Sequence, residues 1–355
     1  MTERLVAAVS GGVDSAVTAA RLVADGHDVT AVHLVLHDAA GGATSASVEA
    51  ARGVASALGL PFEVWDMREQ FSRLVLDDFA GVYAAGLTPN PCLRCNKTIK
   101  FGALLDRALA SGFDGVATGH YARLVRGDGG VELRRAVDLA KDQSYVLSIL
   151  TSQQLGRAWF PLGVSMKADV QAEAARLGLP VADSESMDLC FIPDGDVGSW
   201  LRGRLGNRPG DIVDETGAVL GRHDGTYGFT VGQRKGLNVR VPAVDGHPRF
   251  VLGVDAGARH VIVGPRERLA VDVLACQDAV WTSGVVPDGP LAVQTQVRAH
   301  GDEHDAIVEA RPGGEVEVRL LSPIVGVAPG QTAAFYDGDR VVGSATIRAT
   351  RCLRS

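Results

Sequence analysis

The first 118 residues alternate between short apolar runs and longer segments in which apolar residues recur every three or four positions. The short runs predict strands over 4–10, 29–36, 62–65 and 115–118. The longer segments, several of them closed by a glycine, predict helices over 14–25, 45–58, 68–85 and 101–110. Strands that alternate with helices form a parallel sheet with helices on both faces. The pattern therefore predicts a doubly wound α/β fold.

The pattern changes between residues 193 and 206, and beyond that point glycine and proline turns separate short alternating strands. A first group is predicted over 211–213, 226–231, 250–254 and 260–263. A second group follows over 291–299, 305–310, 315–320, 332–336 and 340–347. Two such groups are typical of two small all-β modules. We therefore expect three domains: an α/β domain over 1–199, a small β domain over 200–268 and a β-barrel over 269–355.

Composition narrows the class of protein. Hydrophobic residues make up 46% of the 355 residues, and no apolar run approaches the roughly 18–20 residues of a membrane helix. We expect a cytoplasmic protein with no membrane partner. The net charge of the chain is −7, yet residues 200–272 carry a net charge of +3. We therefore expect a polyanionic partner to bind in this segment. Five cysteines, an odd and sparse number, argue against a disulfide scaffold.

A glycine loop, Ser10-Gly-Gly-Val-Asp-Ser15, joins the first predicted strand to the first predicted helix. Backbone N–H groups at such a junction bind phosphate, and the two glycines allow close approach. The loop lacks the lysine of a Walker A motif. Asp14 beside a polyphosphate would be repulsive unless Mg²⁺ bridged the two. The run therefore predicts a site for ATP with Mg²⁺; the alternative is a plain glycine turn with a capped helix.

Three cysteines fall in unusual surroundings. Cys92 and Cys95 form a CxxC motif after a proline-rich approach, and Cys190 lies near the end of the α/β segment. A thiol near a helix N-terminus, flanked by Arg94 and Lys97, should have a pKa below its ordinary value. A structural zinc site needs four ligands, and the absence of a second CxxC motif argues against one. A thioredoxin-type redox motif would follow the first strand, and this CxxC motif does not. We expect Cys276 and Cys352 to be buried small hydrophobic residues.

Several further runs are unusual, among them TGHYAR at 118–123, KDQSYVLS at 141–148 and a basic turn, TVGQRKGL, at 230–237. Together with AVSGGVDSAV at 8–17, TPNPCLRCNKTIKFG at 88–102 and SMDLCFI at 186–192, these runs resemble the bacterial tRNA-specific 2-thiouridylases, in order and from end to end. The loop alone resembles the pyrophosphatase-loop family of adenylating enzymes, whose fold is similar to that of the adenine-nucleotide alpha-hydrolases. A cysteine stands at 92, where many relatives carry an aspartate, and Ala299 replaces a common tyrosine.

The resemblance implies roles for individual residues. ATP would be bound by Ala8, Val9, Ser10, Gly11, Gly12, Val13, Asp14, Ser15, Leu34 and Gly119. The target base would be contacted by Asn90, Pro91 and Cys92. Other parts of the tRNA would be contacted by His120, Lys141, Asp142, Gln143, Arg298 and Gln331. Cys95 would be the catalytic nucleophile and Cys190 the persulfide carrier, with a disulfide between them in alternate turnover states.

The reaction implied is 2-thiolation of the wobble uridine, U34, in the tRNAs for Lys, Glu and Gln. ATP would adenylate the C2 oxygen, and a persulfide on Cys190, loaded by a sulfur-relay protein or a cysteine desulfurase, would supply the sulfur. One alternative keeps the reaction but binds a [4Fe–4S] cluster through Cys92, Cys95 and Cys190. A second is a different adenylating enzyme of the same loop family, such as a 4-thiouridine synthase. A third is a tRNA-binding or sulfur-carrier protein without catalysis.

Overall fold

The computed structural model describes residues 2–38, 43–181, 189–237, 239 and 246–353. Its first part is built on five parallel strands in the spatial order β3-β2-β1-β4-β7. These are β1 (Arg4–Ala8), β2 (Asp28–Val35), β3 (Phe62–Asp66), β4 (Gly115–Ala117) and β7 (Ala158–Trp159). The predicted parallel sheet is confirmed. Because side chains alternate along a strand, Leu5 and Ala7 pack into one helical layer and Val6 into the other.

Nine helices of this part, as far as the structure describes it, follow the sheet strands or connect them. They are α1 (Val13–Ala24), α2 (Ala43–Ala57), α3 (Arg68–Phe71), α4 (Asp77–Ala84), α5 (Pro91–Cys95), α6 (Leu104–Ala110), α7 (Ser144–Leu147), α8 (Ser152–Gly156) and α9 (Lys167–Arg176). Helices α1, α2 and α9 cover one face of the sheet, and α6 packs on the other. The doubly wound fold predicted from the sequence is thus confirmed.

Two π-helical turns interrupt the helices. Ser72–Leu76 joins α3 to α4, so the helix predicted over 68–85 is continuous but locally widened. Asn96–Ala103 joins α5 to α6, so the helix predicted to begin at 101 begins at Pro91 instead. Asn90 caps that start and proline suits the first helical position. Short π-helical turns are frequent at functional sites, and this one follows Cys95 directly.

The central module is a four-stranded sheet in the order β10-β11-β8-β9. Its strands are β8 (Gly210–Val213), β9 (Val219–His223), β10 (Phe250–Asp255) and β11 (His260–Gly264), and α10 (Val197–Leu205) precedes them. The strand predicted over 226–231 is wrong. Thr226–Gly228 is a 3₁₀ turn, because Tyr227 is buried and its hydroxyl donates to the Gly206 carbonyl at 2.8 Å. Strand β9 was not predicted.

The C-terminal module is a closed six-stranded barrel, since β12 pairs with both β15 and β17. Its strands are β12 (Ala270–Trp281), β13 (Leu291–Gln296), β14 (Glu303–Ala310), β15 (Val316–Val325), β16 (Thr332–Asp337) and β17 (Arg340–Arg351). Leu274, Val318, Phe335 and Ile347 lie in its core. Strand β12 is not among the strands predicted from the sequence, and it begins directly after the predicted boundary between the second and third domains.

A hairpin from the first part extends the barrel sheet. Strands β5 (Ala122–Gly127) and β6 (Gly130–Arg135) pair with each other, and β6 meets β17 where Arg134 pairs with Arg340. Below the hairpin, side chains of α7 share one apolar cluster with side chains of β16 and β17. The α/β part and the barrel therefore pack through a common core. The division into domains at 199 and 268 stays a prediction.

Candidate functional site

The glycine loop lies between the end of β1 and the start of α1. Gly11 has a φ of +91°, and a Cβ at this position would lie 2.6 Å from the Cβ of Ala50 in α2, so the turn requires glycine. The hydroxyls of Ser10 and Ser15 lie 3.1 Å apart, and that of Ser15 donates to the Gly12 carbonyl at 3.0 Å. The two serines thus hold the loop in shape from within.

The first turn of α1 faces a cavity of about 280 Å³, here called the loop cavity. The first N–H groups of a helix have no partner within it, and they favour an anion. The loop cavity is lined by Ala8, Val9, Ser10, Asp14, Ser15, Val32, His33, Leu34, Leu36, Lys100, Thr118, Gly119, His120 and Gln143. Seven of the ten residues predicted to bind ATP are in this lining. Gly11, Gly12 and Val13 form the turn behind it.

Gly119 contributes to the loop cavity in a way the sequence did not show. A Cβ at Gly119 would lie 3.0 Å from the Cβ of Asp14 and 3.1 Å from the nitrogen of Ser15. The glycine after β4 is therefore required for the chain to pass the first turn of α1. Its predicted contact with a nucleotide remains a prediction.

Asp14 forms an ion pair with a lysine from a distant part of the chain. The Lys167 ammonium lies 2.6 Å from Asp14 Oδ1, and the Tyr121 hydroxyl donates to the same oxygen at 2.8 Å. This changes the argument for Mg²⁺, which rested on an uncompensated carboxylate. Asp14 is the one carboxylate in the cavity lining, so Mg²⁺ there would depend on phosphate oxygens and water for its other ligands. Lys167 was not identified from the sequence, although it is one of only five lysines.

Two histidines in the cavity are neutral. Burial lowers the pKa of His33, and its Nδ1–H donates to the Val9 carbonyl at 2.9 Å. Burial, followed by the charge of Lys100, lowers the pKa of His120 well below its ordinary value. The Lys100 ammonium lies 3.3 Å from His120 Nε2. Because an ammonium can only donate, Nε2 accepts, and Nδ1–H donates to the Thr118 hydroxyl at 2.6 Å.

The three unusual cysteines are neighbours, because the thiols of Cys92 and Cys190 both act electrostatically on Cys95. The expectation of a depressed thiol pKa is wrong. Burial raises the pKa of Cys95 to about 11 and also raises that of Cys190. The flanking Arg94 does not face the thiol; it pairs with Asp78 and donates to the Leu74 carbonyl.

Lys100 is the charge that opposes this effect of burial. Its ammonium counteracts the rise in pKa at both Cys95 and Cys190. The π-helical turn over 96–103 accounts for this placement, since residues four to five apart share one face of such a turn. No disulfide joins these three cysteines in the described part of the chain; Cys95 is buried, and the residues Cys92 and Cys190 are exposed. Of the other two, Cys276 is buried as predicted, whereas Cys352 is half-exposed, because it follows the last barrel strand.

The described residues contain no group of three or more His, Cys, Asp or Glu side chains arranged to hold a metal. Among the described residues the three cysteines thus do not form a metal-binding group, and we derive no step through a [4Fe–4S] cluster. Residues 186–188 of the SMDLCFI run lie outside the described residues. Within the described part of the chain, no helix is long and apolar enough to cross a membrane.

The predicted base-contacting segment forms the start of α5. Asn90 Oδ1 accepts the Cys92 N–H at 3.0 Å, and Pro91 is buried at the first helical position. Asn90 is thus also a helix cap, and Cys92 stands exposed on the first turn. Their contact with a base stays a prediction.

The predicted tRNA contacts over 141–143 have different surroundings. Lys141 is exposed. Asp142 is held by Arg135 at 3.0 Å and by Ser144, whose hydroxyl donates to it at 2.6 Å. Gln143 accepts the Tyr121 N–H at 2.9 Å and lines the loop cavity. Asp142 therefore has a structural role, whereas Lys141 is exposed and Gln143 faces the loop cavity.

A larger cavity, of about 540 Å³, lies where the three modules meet and is here called the junction cavity. It is lined by Thr88, Thr230, Val231, Gly232, Phe250, Arg266, Leu269, Arg298, Val325, Gly326, Ala328 and Gln331. Gln331 Nε2 donates to the Thr88 carbonyl at 2.7 Å, and Arg298 donates to the Gly326 carbonyl. The two predicted tRNA contacts of the barrel thus face one opening, together with the basic turn at 230–237.

Three domain families match the chain in succession. The tRNA methyl transferase HUP domain matches residues 3–194, the tRNA methyl transferase PRC-barrel domain residues 198–265, and the aminomethyltransferase beta-barrel domain residues 271–347. With the loop cavity at the carboxyl edge of its sheet, the chain is thus a nucleotide-binding HUP-domain protein of the tRNA-modifying class.

The relatives narrow this class. The chain is 54% identical over 357 residues to the tRNA-specific 2-thiouridylase MnmA of Acidothermus cellulolyticus, with 98% of each chain covered. It is 56% identical over 362 residues to that of a Nocardioides species, again with 98% of each chain covered. The protein belongs to the tRNA-specific 2-thiouridylase MnmA family and is a sulfurtransferase enzyme. The resemblance drawn from the motifs is confirmed.

Proposed function

We propose that this protein transfers sulfur to C2 of the wobble uridine, U34, in the tRNAs for Lys, Glu and Gln, with ATP as the activating co-substrate. The observation that carries the proposal is the position of Lys100. Its ammonium lines the loop cavity and also acts on the thiols of Cys95 and Cys190. A phosphate-binding loop and a pair of thiols therefore lie within reach of one cation.

The first step activates the base. The uracil C2 oxygen attacks the α-phosphorus of ATP, a P–O bond forms, and pyrophosphate leaves with the electron pair of the broken bond. The N–H groups at the start of α1 would bind the phosphates. Lys100 would balance charge on the attacked phosphate. His33 and His120 remain neutral because burial lowers their pKa values, so they can orient groups without adding charge.

The second step transfers sulfur. The terminal sulfur of a persulfide on Cys190 attacks C2, a C–S bond forms, and AMP leaves. The Cys95 thiolate then attacks Sγ of Cys190, the persulfide S–S bond breaks, and its electron pair stays on the sulfur now bound to C2. A Cys95–Cys190 disulfide remains, which two electrons from a cellular thiol reductant reset. Cys95 requires its thiolate form, so Lys100 supports this step by opposing the effect of burial.

Loading of the persulfide needs a partner. Although surrounding atoms shield the Cys190 thiol enough to raise its pKa, the residue as a whole is exposed at the surface, so a persulfide-donating sulfur-relay protein or a cysteine desulfurase could reach it. Cys95 is buried, so the donor protein would load Cys190, and Cys95 would react only with the loaded Cys190. This difference in exposure supports the assignment of Cys190 as carrier and Cys95 as the resolving nucleophile.

The junction cavity would bind the tRNA. It presents Arg266 and Arg298 beside the polar groups of Thr230 and Gln331, which suits phosphate and ribose contacts. A wobble base must leave the anticodon stack to enter a pocket, and loop bases do so at low cost. His120 is buried beside Lys100, so its predicted contact would require the base to enter the loop cavity.

The two steps can be separated experimentally. We expect Cys190→Ser to abolish thiolation while tRNA-dependent ATP–pyrophosphate exchange continues, because the loop cavity does not use this thiol. Asp14→Ala should stop exchange and thiolation together, while Cys190 still accepts a persulfide from the donor protein. Thiolated tRNA is measured on mercury-containing gels. Cys352→Ser, a half-exposed cysteine at the end of the barrel, is the matched control and should leave both activities unchanged.

One outcome would contradict the proposed order of events. If correctly folded Cys190→Ser protein also loses ATP–pyrophosphate exchange, the thiol takes part in activation, and the two steps are not independent.

A further inference from the structure

The glycine loop contains no cation, although polyphosphate sites commonly use one. Its sequence, Ser10-Gly-Gly-Val-Asp-Ser15, places a carboxylate where a Walker A motif has lysine. The structure brings a lysine to this point from elsewhere, since Lys167 lies 153 residues further along the chain and its ammonium is 2.6 Å from Asp14 Oδ1. The loop and this lysine meet only in the folded protein.

The backbone of Lys167 is held firmly in place. Lys167 is the first residue of α9, and its N–H donates to Asp138 Oδ2 at 2.9 Å. Helix α9 is fastened to α1 by Arg21 and Glu173, 2.7 Å apart, with little exposure of either side chain. Arg21 also donates to the Pro161 carbonyl at 2.8 Å. The start of α9 is therefore in register with the start of α1.

The side chain of Lys167 is less restricted than its backbone. Its exposed fraction is 25%, and that of Asp14 is 30%. Asp14 Oδ1 also accepts the Tyr121 hydroxyl at 2.8 Å, so the carboxylate keeps a hydrogen bond when the ammonium turns away. Four rotatable bonds allow a lysine ammonium to move by several ångströms from a fixed backbone. Asp14 thus holds the Lys167 ammonium at the edge of the loop, and the ammonium can still move away from Asp14 to another partner.

We infer that Lys167 is the phosphate-binding cation of the loop: Asp14 holds it beside the loop, and it turns to contact the β- and γ-phosphates when a nucleoside triphosphate binds. This inference rests on the proposed use of ATP. Lys100 lies in the loop cavity beside Gly119 and His120, whereas Lys167 sits at the first turn of α1. The two lysines therefore serve different phosphates, and Lys167 stabilises the pyrophosphate that leaves.

Direct binding of three ligands tests this role. ATP, pyrophosphate and AMP are titrated calorimetrically into wild type, Lys167→Met and Lys167→Arg. Loss of one charge-assisted contact should weaken ATP and pyrophosphate binding by roughly tenfold or more, while AMP binding changes by less than about threefold. Lys167→Arg keeps the charge and should retain most of the affinity. Arg176→Met removes a cation from the exposed end of the same helix and should bind all three ligands as wild type does.

The outcomes distinguish a binding role from a structural one. If Lys167→Met binds ATP as tightly as wild type, or loses ATP and AMP affinity equally, Lys167 only supports the structure through Asp14, and this inference is overturned. Melting temperatures of each variant monitor that structural effect. If wild type binds ATP no better than AMP and shows no pyrophosphate binding, the proposed use of ATP fails as well. Selective loss of ATP and pyrophosphate binding supports the inference.

Discussion

The loop cavity and the junction cavity differ in how the chain builds them. The loop cavity takes the wall proposed to bind phosphate from one continuous run, Ser10 to Ser15, at the edge of a single sheet. The junction cavity takes one wall from each module, as Thr88, Thr230 and Gln331 show. A site made from one run is visible in a sequence. A site made from three modules becomes visible only when their packing is known.

The two cavities also differ in whether their charged side chains are paired or exposed. In the loop cavity, Asp14 is paired with Lys167, and Lys100 bonds to a neutral histidine. In the junction cavity, Arg266 and Arg298 are exposed. Exposed cations are screened by salt and internal pairs much less so. We therefore expect ligand binding at the junction cavity to depend on ionic strength far more than binding in the loop cavity.

The largest expected effect comes from a pair of glycine substitutions, one in each cavity. Gly11→Ala places a Cβ 2.6 Å from that of Ala50 at a φ of +91°, and should weaken ATP binding by roughly tenfold or more. Gly232→Ala, at a φ of +89° beside Gly326, should weaken tRNA binding instead. Calorimetry and filter binding measure the two affinities. If both variants lose both ligands, the cavities are not independent.

A second effect concerns pH at the thiol pair. Because burial raises the pKa of Cys95 to about 11, its thiolate fraction rises as pH increases towards that value. Single-turnover sulfur transfer from persulfide-loaded enzyme should therefore quicken by about tenfold per pH unit between pH 7 and 9. Lys100→Met should be slower throughout, with its profile displaced to higher pH, and Lys100→Arg should restore much of the rate. A flat wild-type profile would show that Cys95 ionisation does not limit transfer.

The third effect is smaller and concerns salt. Arg234 and Lys235 are exposed on the basic turn next to the junction cavity. Replacing both by alanine should flatten the slope of log K for tRNA against log salt by about one unit per lost phosphate contact. ATP affinity should not change, and Arg176→Ala is a control for a cation elsewhere. An unchanged slope would mean that the turn is solvated and does not touch tRNA.

The smallest effect is expected at Cys92. This residue is exposed on the first turn of α5, where a helix N-terminus also tolerates a carboxylate. In the persulfide mechanism Cys92→Asp should keep activity within about threefold and show no dependence on iron. Thiolation and bound iron are measured on anaerobically prepared protein. Activity that tracks about four iron atoms per chain would contradict the persulfide mechanism.

The structural features that could be predicted from the sequence are those set by residues close together along the chain. The sheet of the first part and the loop from Ser10 to Ser15 are of this kind, since a strand, two glycines and a helix start are all local features. The pKa of Cys95 was wrongly predicted because Arg94 and Lys97 are neighbours in sequence, while burial is set by the folded surroundings.

Other features depend on tertiary packing. Lys167 meets Asp14 because α9 packs against α1, where Arg21 pairs with Glu173. The alternating pattern predicts a strand at Tyr227, but the Tyr227 hydroxyl donates to the Gly206 carbonyl and anchors a 3₁₀ turn instead. No spacing rule along the chain reports either contact.

The apolar cluster beneath the β5–β6 hairpin has a consequence for how the molecule melts. It joins Tyr145 and Leu147 of the α/β part to Tyr336 and Val341 of the barrel, and the Tyr145 hydroxyl donates to the Thr332 carbonyl at 2.8 Å. Unfolding the barrel alone would leave these buried rings in water. Heat should therefore melt the two parts in one cooperative transition, and a chain cut before β12 should aggregate instead of remaining as a small, independent enzyme.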